Sequence, residues 1–301
     1  MKRIISILLV LLVIAGLGTS ALANNVEVGE QRVVLGADLT ADQRDQVFRD
    51  FGMLPGVVEE LTVTIEQERA YLQNFVPAGV IGSRSISSIY IRTMPAGSGL
   101  DISVHNINWL TEDIYVNALT TAGITDARVI ITAPFPVSGT AALTGIYLAF
   151  EDITGEALPE EAKLAAIEEA VLTGEIADAL GDSEDIAALM NELKLMLDET
   201  RNMSDEQVRA EIRDLAVQFD ISLTGDQVER ILSLVRNLEG LDLGALQGTL
   251  EAIARNFDRL QGIGDTVAGV GESVSGFFGS ITGFFSNVGS AISRFFSNLF
   301  G

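Results

Sequence analysis

The chain has 301 residues, with 42 acidic side chains against 19 basic ones, a formal charge of −23 at pH 7, one histidine and no cysteine. Binding to phosphate backbones needs clustered Lys and Arg, so nucleic acid is excluded as a partner. A disulfide framework and a cysteine-borne lipid anchor are excluded as well, and zinc would lack its usual His and Cys ligands. Stability has to come from burial, for which the length is ample.

The opening stretch, MKRIISILLVLLVIAGLGTSALANN, places Lys2 and Arg3 before an apolar run from Ile4 to Leu17 and an Ala21-Leu22-Ala23 site. A basic n-region, a short h-region and an A-x-A site predict a signal peptide over residues 1–23, cleaved after Ala23. The protein is therefore expected to be secreted or to lie on the extracellular face of the cell envelope. Cleavage leaves 17 basic residues and a charge of −25.

Residues 24–155 alternate strand and helix signals and predict an α/β sandwich domain. Arg32–Gly36 reads as a strand, and Thr40 with Gln43 forms a capping box that opens a helix through Phe51. Leu61–Ile65 reads as a strand and EQERAYLQNF as the helix after it. Ile86–Met94 is β-branched, and the turn residues Pro95–Gly99 predict a hairpin to Leu100–Ile107. Thr111 is the expected cap of a helix over Glu112–Ala122, DARVIITA a buried strand, and Ser138–Phe150 an apolar helix.

Residues 156–262 carry 24 acidic and 9 basic side chains and predict an all-α bundle of four or five helices. Apolar residues at spacings of three and four mark 159–172, 184–200, 205–219, 225–238 and 243–260. Ser204 with Gln207 and Thr224 with Gln227 repeat the capping box.

Residues 263–301 form a Gly/Ser/Phe-rich tail whose charged side chains are Asp265, Glu272 and Arg294. Phe277, Ile281, Phe284, Val288, Ile292, Phe295 and Leu299 follow one another at threes and fours, and Phe278, Phe285 and Phe296 widen the stripe. The opposite face is Ser, Gly, Thr and Asn, and the glycines each cost roughly 0.5–1 kcal/mol in a helix, so an external surface is needed to fold it. A bulky apolar stripe opposite an uncharged face describes an amphipathic helix for a membrane surface, bound through area and not lipid charge. Docking on its own bundle, capture of a protein partner, and self-association through Gly276, Gly279 and Gly283 fit the same pattern.

Signals of chemistry are weak. Asp101, Ser103 and His105 share one strand face, but successive same-face residues lie about 6.6 Å apart, which describes an exposed strand better than a triad. Asp220–Ile231 has Gly225 at the sixth place of a calcium loop but Ile231 at the twelfth. Asp182, Glu184 and Asp185 read as a solvated helix start. Ser138, Gly139 and Thr140 follow a strand and open a helix, a place that favours anions, so they form a weak anion-site candidate. No catalytic residue, metal site or cofactor is expected.

The stretches VVLGADLTADQ, VPAGVIGSRSISSIYI, GSGLDISVHNINWLT, YVNALTTAGITDARVIITAPFPVSGTAALTGIYLAFE and ITGEALPEEA, in this order, resemble the YpuA-like family of exported Firmicutes proteins, a domain of unknown function. The resemblance implies export from a Gram-positive cell and supplies no site residues. The expectation is an acidic, exported, non-catalytic envelope protein that meets a membrane surface or protein partner through its tail. A cell-wall hydrolase using carboxylates of the α/β domain and a pore-forming or self-assembling protein are the alternatives.

Overall fold

The computed structural model describes residues 27–76, 81–181 and 183–241. The expectations for the signal peptide, the helix over 243–260, the tail and Asp182 lie outside the described residues. The fold is mixed α/β, with strands β1 (Gln31–Gly36), β2 (Glu59–Val63), β3 (Ser88–Thr93), β4 (Leu100–Ile107) and β5 (Ala127–Val137) in one sheet of order β2-β1-β3-β5-β4. Four of them run the same way; β3, at the centre, runs against its neighbours β1 and β5.

Alternation along β1 divides the sheet's two faces. Val33 and Leu35 pack under α1 (Ala41–Phe51) with Val47, Phe48, Phe51 and Tyr90, while Val34 joins the main core. That core is covered by α2 (Ile65–Leu72), α3 (Glu112–Thr121) and α4 (Thr140–Thr154). Helices therefore cover both faces, as the parallel strand pairs require.

The helical half consists of α5 (Glu160–Leu180), α6 (Ser183–Leu195), the short α7 (Leu197–Thr200), α8 (Asp205–Gln218) and α9 (Gly225–Glu239). Helix α5 is apolar on more than one side because it packs in two directions. Ala166, Ile167, Ala170 and Val171 enter the core under the sheet, and Ala165, Leu172 and Ile176 enter the cluster with α6, α8 and α9.

Four capping boxes start α1, α2, α8 and α9, at Thr40/Gln43, Thr64/Gln67, Ser204/Gln207 and Thr224/Gln227. The pair at Thr64 explains why β2 occupies Glu59–Val63 and not 61–65: the cap takes Thr64 out of the strand and starts the helix at Ile65. Helix α5 runs eight residues beyond the expected Leu172, through Gly174. The Trp109 indole lies against that glycine, where a Cβ would come within 3.1 Å of the ring, so the glycine makes room for a neighbour and does not end the helix. Met196 divides the helix expected over 184–200.

The expected β3–β4 hairpin does not form, because β5 lies between the two strands. Asp126, just before β5, accepts Met94 N through its carbonyl and Gly99 N through its carboxylate, pinning the 95–99 turn over the start of the inserted strand. Strand β5, with Ala127, Val129, Ile131, Thr132 and Ala133 buried, takes the inner place, and β4, with a polar face, takes the edge.

A buried ion pair inside the helical half is tied to the sheet layer through α3. Lys194 Nζ on α6 lies 2.7 Å from Glu169 Oε1 on α5, and each residue is 1% exposed. Thr121 on α3 donates to Glu169 Oε2 at 2.5 Å, and Lys194 also donates to Asn117 O and Thr121 Oγ1, both at 3.3 Å. Burial lowers the Lys194 pKa, opposed by the charge and hydrogen bond of Glu169. Removing one partner of such a pair strands a buried charge. Lys194→Met is expected to lose about 3–5 kcal/mol in urea denaturation, and Lys194→Met with Glu169→Gln to recover much of it; a single substitution without loss would contradict the pairing.

Candidate functional site

In an open α/β sheet, ligands meet the crevice outside the carboxyl ends of the parallel strands. Here that edge is made by the ends of β1, β2, β4 and β5 and the segment entering β3. Gly36 N donates to Ser88 Oγ at 3.1 Å, and Ser85 N donates to Asp38 Oδ2 at 2.7 Å, closing the β1 end onto the β3 entry. Any side chain at Gly36 would strike the Ser85 carbonyl.

On the α1 face this edge opens into a cavity of about 370 Å³ lined by Asp50, Val104, His105 and Asn106. Asp50 comes from the last turn of α1, and its Oδ2 accepts the buried Thr132 hydroxyl of β5 at 2.7 Å. His105 stands beside Thr132 in the β4–β5 register, which is then broken by a bulge between His105 and Ile107. Asn106 occupies the bulge with φ at 56°, its Nδ2 donating to Ala133 O at 2.8 Å. Left-handed backbone at a residue other than glycine costs free energy and, like bulges, gathers at working sites. The result is a carboxylate held by a hydroxyl, an exposed imidazole and a pinned amide around one polar cleft, an arrangement suited to hydrogen bonding.

Asp101, Ser103 and His105 do share one face, as expected, but they do not converge: His105 borders the cleft with Asp50, whereas Asp101 lies 3.9 Å from Arg128. Burial raises the Asp113 pKa, and the nearby carboxylates of Glu184 and Glu112 raise it further. No group of three or more His, Cys, Asp or Glu positioned for a metal occurs among the described residues.

Ser138, Gly139 and Thr140 lie on the other sheet face, at the start of α4. Gly139 has φ at 92°, its carbonyl accepts Tyr115 OH at 2.7 Å, and a Cβ there would overlap Tyr115 and Ile107. Thr140 Oγ1 lies 3.2 Å from Ser138 Oγ and donates to Glu68 Oε1 at 2.6 Å. The helix start thus already faces a carboxyl group, that of Glu68, which is 1% exposed. Burial pushes its pKa up to about 7, against the opposing hydrogen bond from Thr140 and charge of Arg69.

Residues 277–299 of the tail stripe lie outside the described residues. Sequence reading missed Asp50, Asn106 and Glu68. Asn106 did carry a signal, since Asn tolerates φ > 0 better than other side chains, but inside a β-branched strand it reads as one more polar residue. Asp50 and Glu68 become special only through packing.

The fold and edge cleft define a mixed α/β protein with a polar surface site. Residues 35–253 match the model of the family described as "Protein of unknown function (DUF1002)". Over 219 residues the chain is 38% identical to a Bacillus subtilis (strain 168) protein described as "Uncharacterized protein YpuA", covering 72% of this chain and 74% of that protein. The chain belongs to this family, DUF1002, as the sequence resemblance anticipated. No solved structure matches it. The cleft, Glu68 and the Glu169–Lys194 pair all fall within the matched span, and residues 263–301 fall outside it.

Glu68 makes the site region pH-dependent. Its folded pKa exceeds the unfolded value of 4.5, so its favourable contribution is full below 4.5 and is lost as pH rises through about 7. Stability is expected to fall by on the order of 3 kcal/mol across that window from this group. Glu68→Gln should flatten the profile, as read by thermal melts from pH 4.5 to 8; an unchanged profile would contradict the assignment.

Proposed function

We propose that this is an exported, non-catalytic protein of the cell envelope, an α/β sandwich domain and helical bundle held at a membrane surface by an amphipathic helix over 263–301. The basic, apolar start and its A-x-A site support export. The observation that carries the membrane assignment is the tail stripe, bulky and unbroken from Phe277 to Leu299 in a chain this acidic.

Among the described residues the exposed large hydrophobics are Val28, Leu54, Val57, Leu180 and Val217. No helix among the described residues is long and apolar enough to cross a membrane. The most buried carboxyls, Glu68 and Glu169, are bound to Thr140 and to Lys194 with Thr121, away from the cleft. The cleft is accordingly assigned to binding a polar ligand, and the hydrolase alternative gains no support from these groups.

Flotation of the full chain and of a chain ending at residue 262, with neutral vesicles of small and large radius, tests this reading. Flotation of the full chain, strongest on small vesicles, and its loss on truncation are expected. Equal flotation of both chains would overturn the assignment, and flotation of neither would move the tail to a protein partner.

A further inference from the structure

The α1 face of the sheet is only partly covered. Helix α1 packs on Val33 and Tyr90. Two residues further along each strand, the same face carries Gln31 of β1, Arg92 of β3, Arg128 of β5 and Asp101 of β4. The register sets these four side by side, with Gln31 opposite Arg92, Arg92 opposite Arg128 and Arg128 beside Asp101. Both arginines are exposed, and Gln31 and Asp101 are half-buried at the ends of the row.

Two arginines directly opposite each other on antiparallel strands repel and destabilise the sheet. Acidic residues outnumber basic ones 42 to 19 in this chain, yet they do little to relieve that repulsion. Arg128 meets Asp101 at 3.9 Å, an exposed pair worth little, and among the described residues no carboxylate pairs with Arg92. Both guanidinium charges reach the Tyr90 hydroxyl: burial raises its pKa, and Arg92 and Arg128 oppose the rise. That hydroxyl donates to Gln31 Oε1 at 2.8 Å, which leaves Gln31 Nε2 as a third donor in the row.

We propose that Gln31, Arg92 and Arg128 form a binding site for a phosphate group on the open part of the α1 face. Neighbouring strands lie about 4.8 Å apart, so one tetrahedral oxyanion seated between β3 and β5 meets both guanidiniums, each offering a fork of two parallel N–H groups. A phosphate has oxygens enough for both forks and the Gln31 amide, whereas the two oxygens of a carboxylate are engaged by one fork. Repulsion across the empty row becomes attraction to a shared anion, and Asp101 competes with that anion for Arg128. On β5, Arg128 precedes Thr132 by four residues, about 13 Å, so the row is separate from the His105 cleft and does not depend on it.

Titration of the full chain with inorganic phosphate, against sodium chloride at equal ionic strength, tests this through the arginine Nε–Hε resonances. Saturable shifts are expected in the two resonances that Arg92→Thr and Arg128→Thr remove, with acetate binding far more weakly. Arg92→Thr is expected to weaken phosphate binding about tenfold and, without phosphate, to raise the melting temperature by about 1–3 °C as the repulsion is relieved. Asp101→Asn, which releases Arg128, is expected to tighten binding about two- to fivefold, a gain that a purely structural row would not show. Shifts no larger than those from chloride, equal binding of acetate and phosphate, or wild-type affinity in Arg92→Thr would overturn the proposal. Flotation then identifies the source of the phosphate. A gain on adding phosphatidic acid to neutral vesicles, abolished by Arg92→Thr, assigns it to a lipid headgroup; binding in solution without that gain assigns it to a soluble phosphate ester.

Discussion

Glu169 and Lys194 meet in the interior, and the arrangement of the helices follows from satisfying them. A buried ion pair is stable only when its remaining hydrogen-bonding capacity is also met. Here Lys194 has three acceptors, Glu169 Oε1, Asn117 O and Thr121 Oγ1, and Glu169 Oε2 has the Thr121 hydroxyl. Asn117 in turn donates to Ala187 O on α6. A slide of α6 by one turn would break these contacts together, so the network sets the register of α6 against α3 and α5 as apolar contacts alone would not. Lys163 plays a lesser part at the start of α5. Burial lowers its pKa, but hydrogen bonds with Tyr71, Glu151 and Glu160 prevail and raise it, tying α5 to α2 and α4.

This junction also positions the functional edge. Helix α3 carries Thr121 at one end and Glu112, against the outer edge of β4, at the other. Tyr115, between them, holds Gly139 at the start of α4, where Glu68 is buried. The chemistry at the carboxyl ends of the strands is therefore supported by the same helix that closes the ion-pair network.

Much of the fold was legible in the sequence because its signals are local. Three of the four capping boxes fixed helix starts to the residue, and the apolar spacing located α8 and α9 almost end to end. The failures involve information that is not local. The turn at Pro95–Gly99 is a real turn, but it says nothing about which strand lies beside which, and β5 took the place a hairpin would have filled. The helix over Thr173-Gly174 looked broken because the partner that explains the glycine, Trp109, is far away in sequence. The site was less legible still. His105 was visible as the single histidine, but Asp50 reaches its cleft from α1, held there by the buried Thr132 of β5, and the raised pKa of Glu68 is a property of burial.

The central claim is that the Glu169–Lys194 junction makes the sheet and the helical half one cooperative body. Trp109, the chain's single tryptophan, lies against Gly174 of α5 and so reports on the junction itself. Equilibrium unfolding of the full chain in urea, followed by Trp109 fluorescence and by far-ultraviolet circular dichroism, tests the claim most directly. The account predicts that the two normalised transitions coincide. A fluorescence change completed before most of the helical signal is lost would contradict it, because the junction would then open while the helices on one side stayed folded.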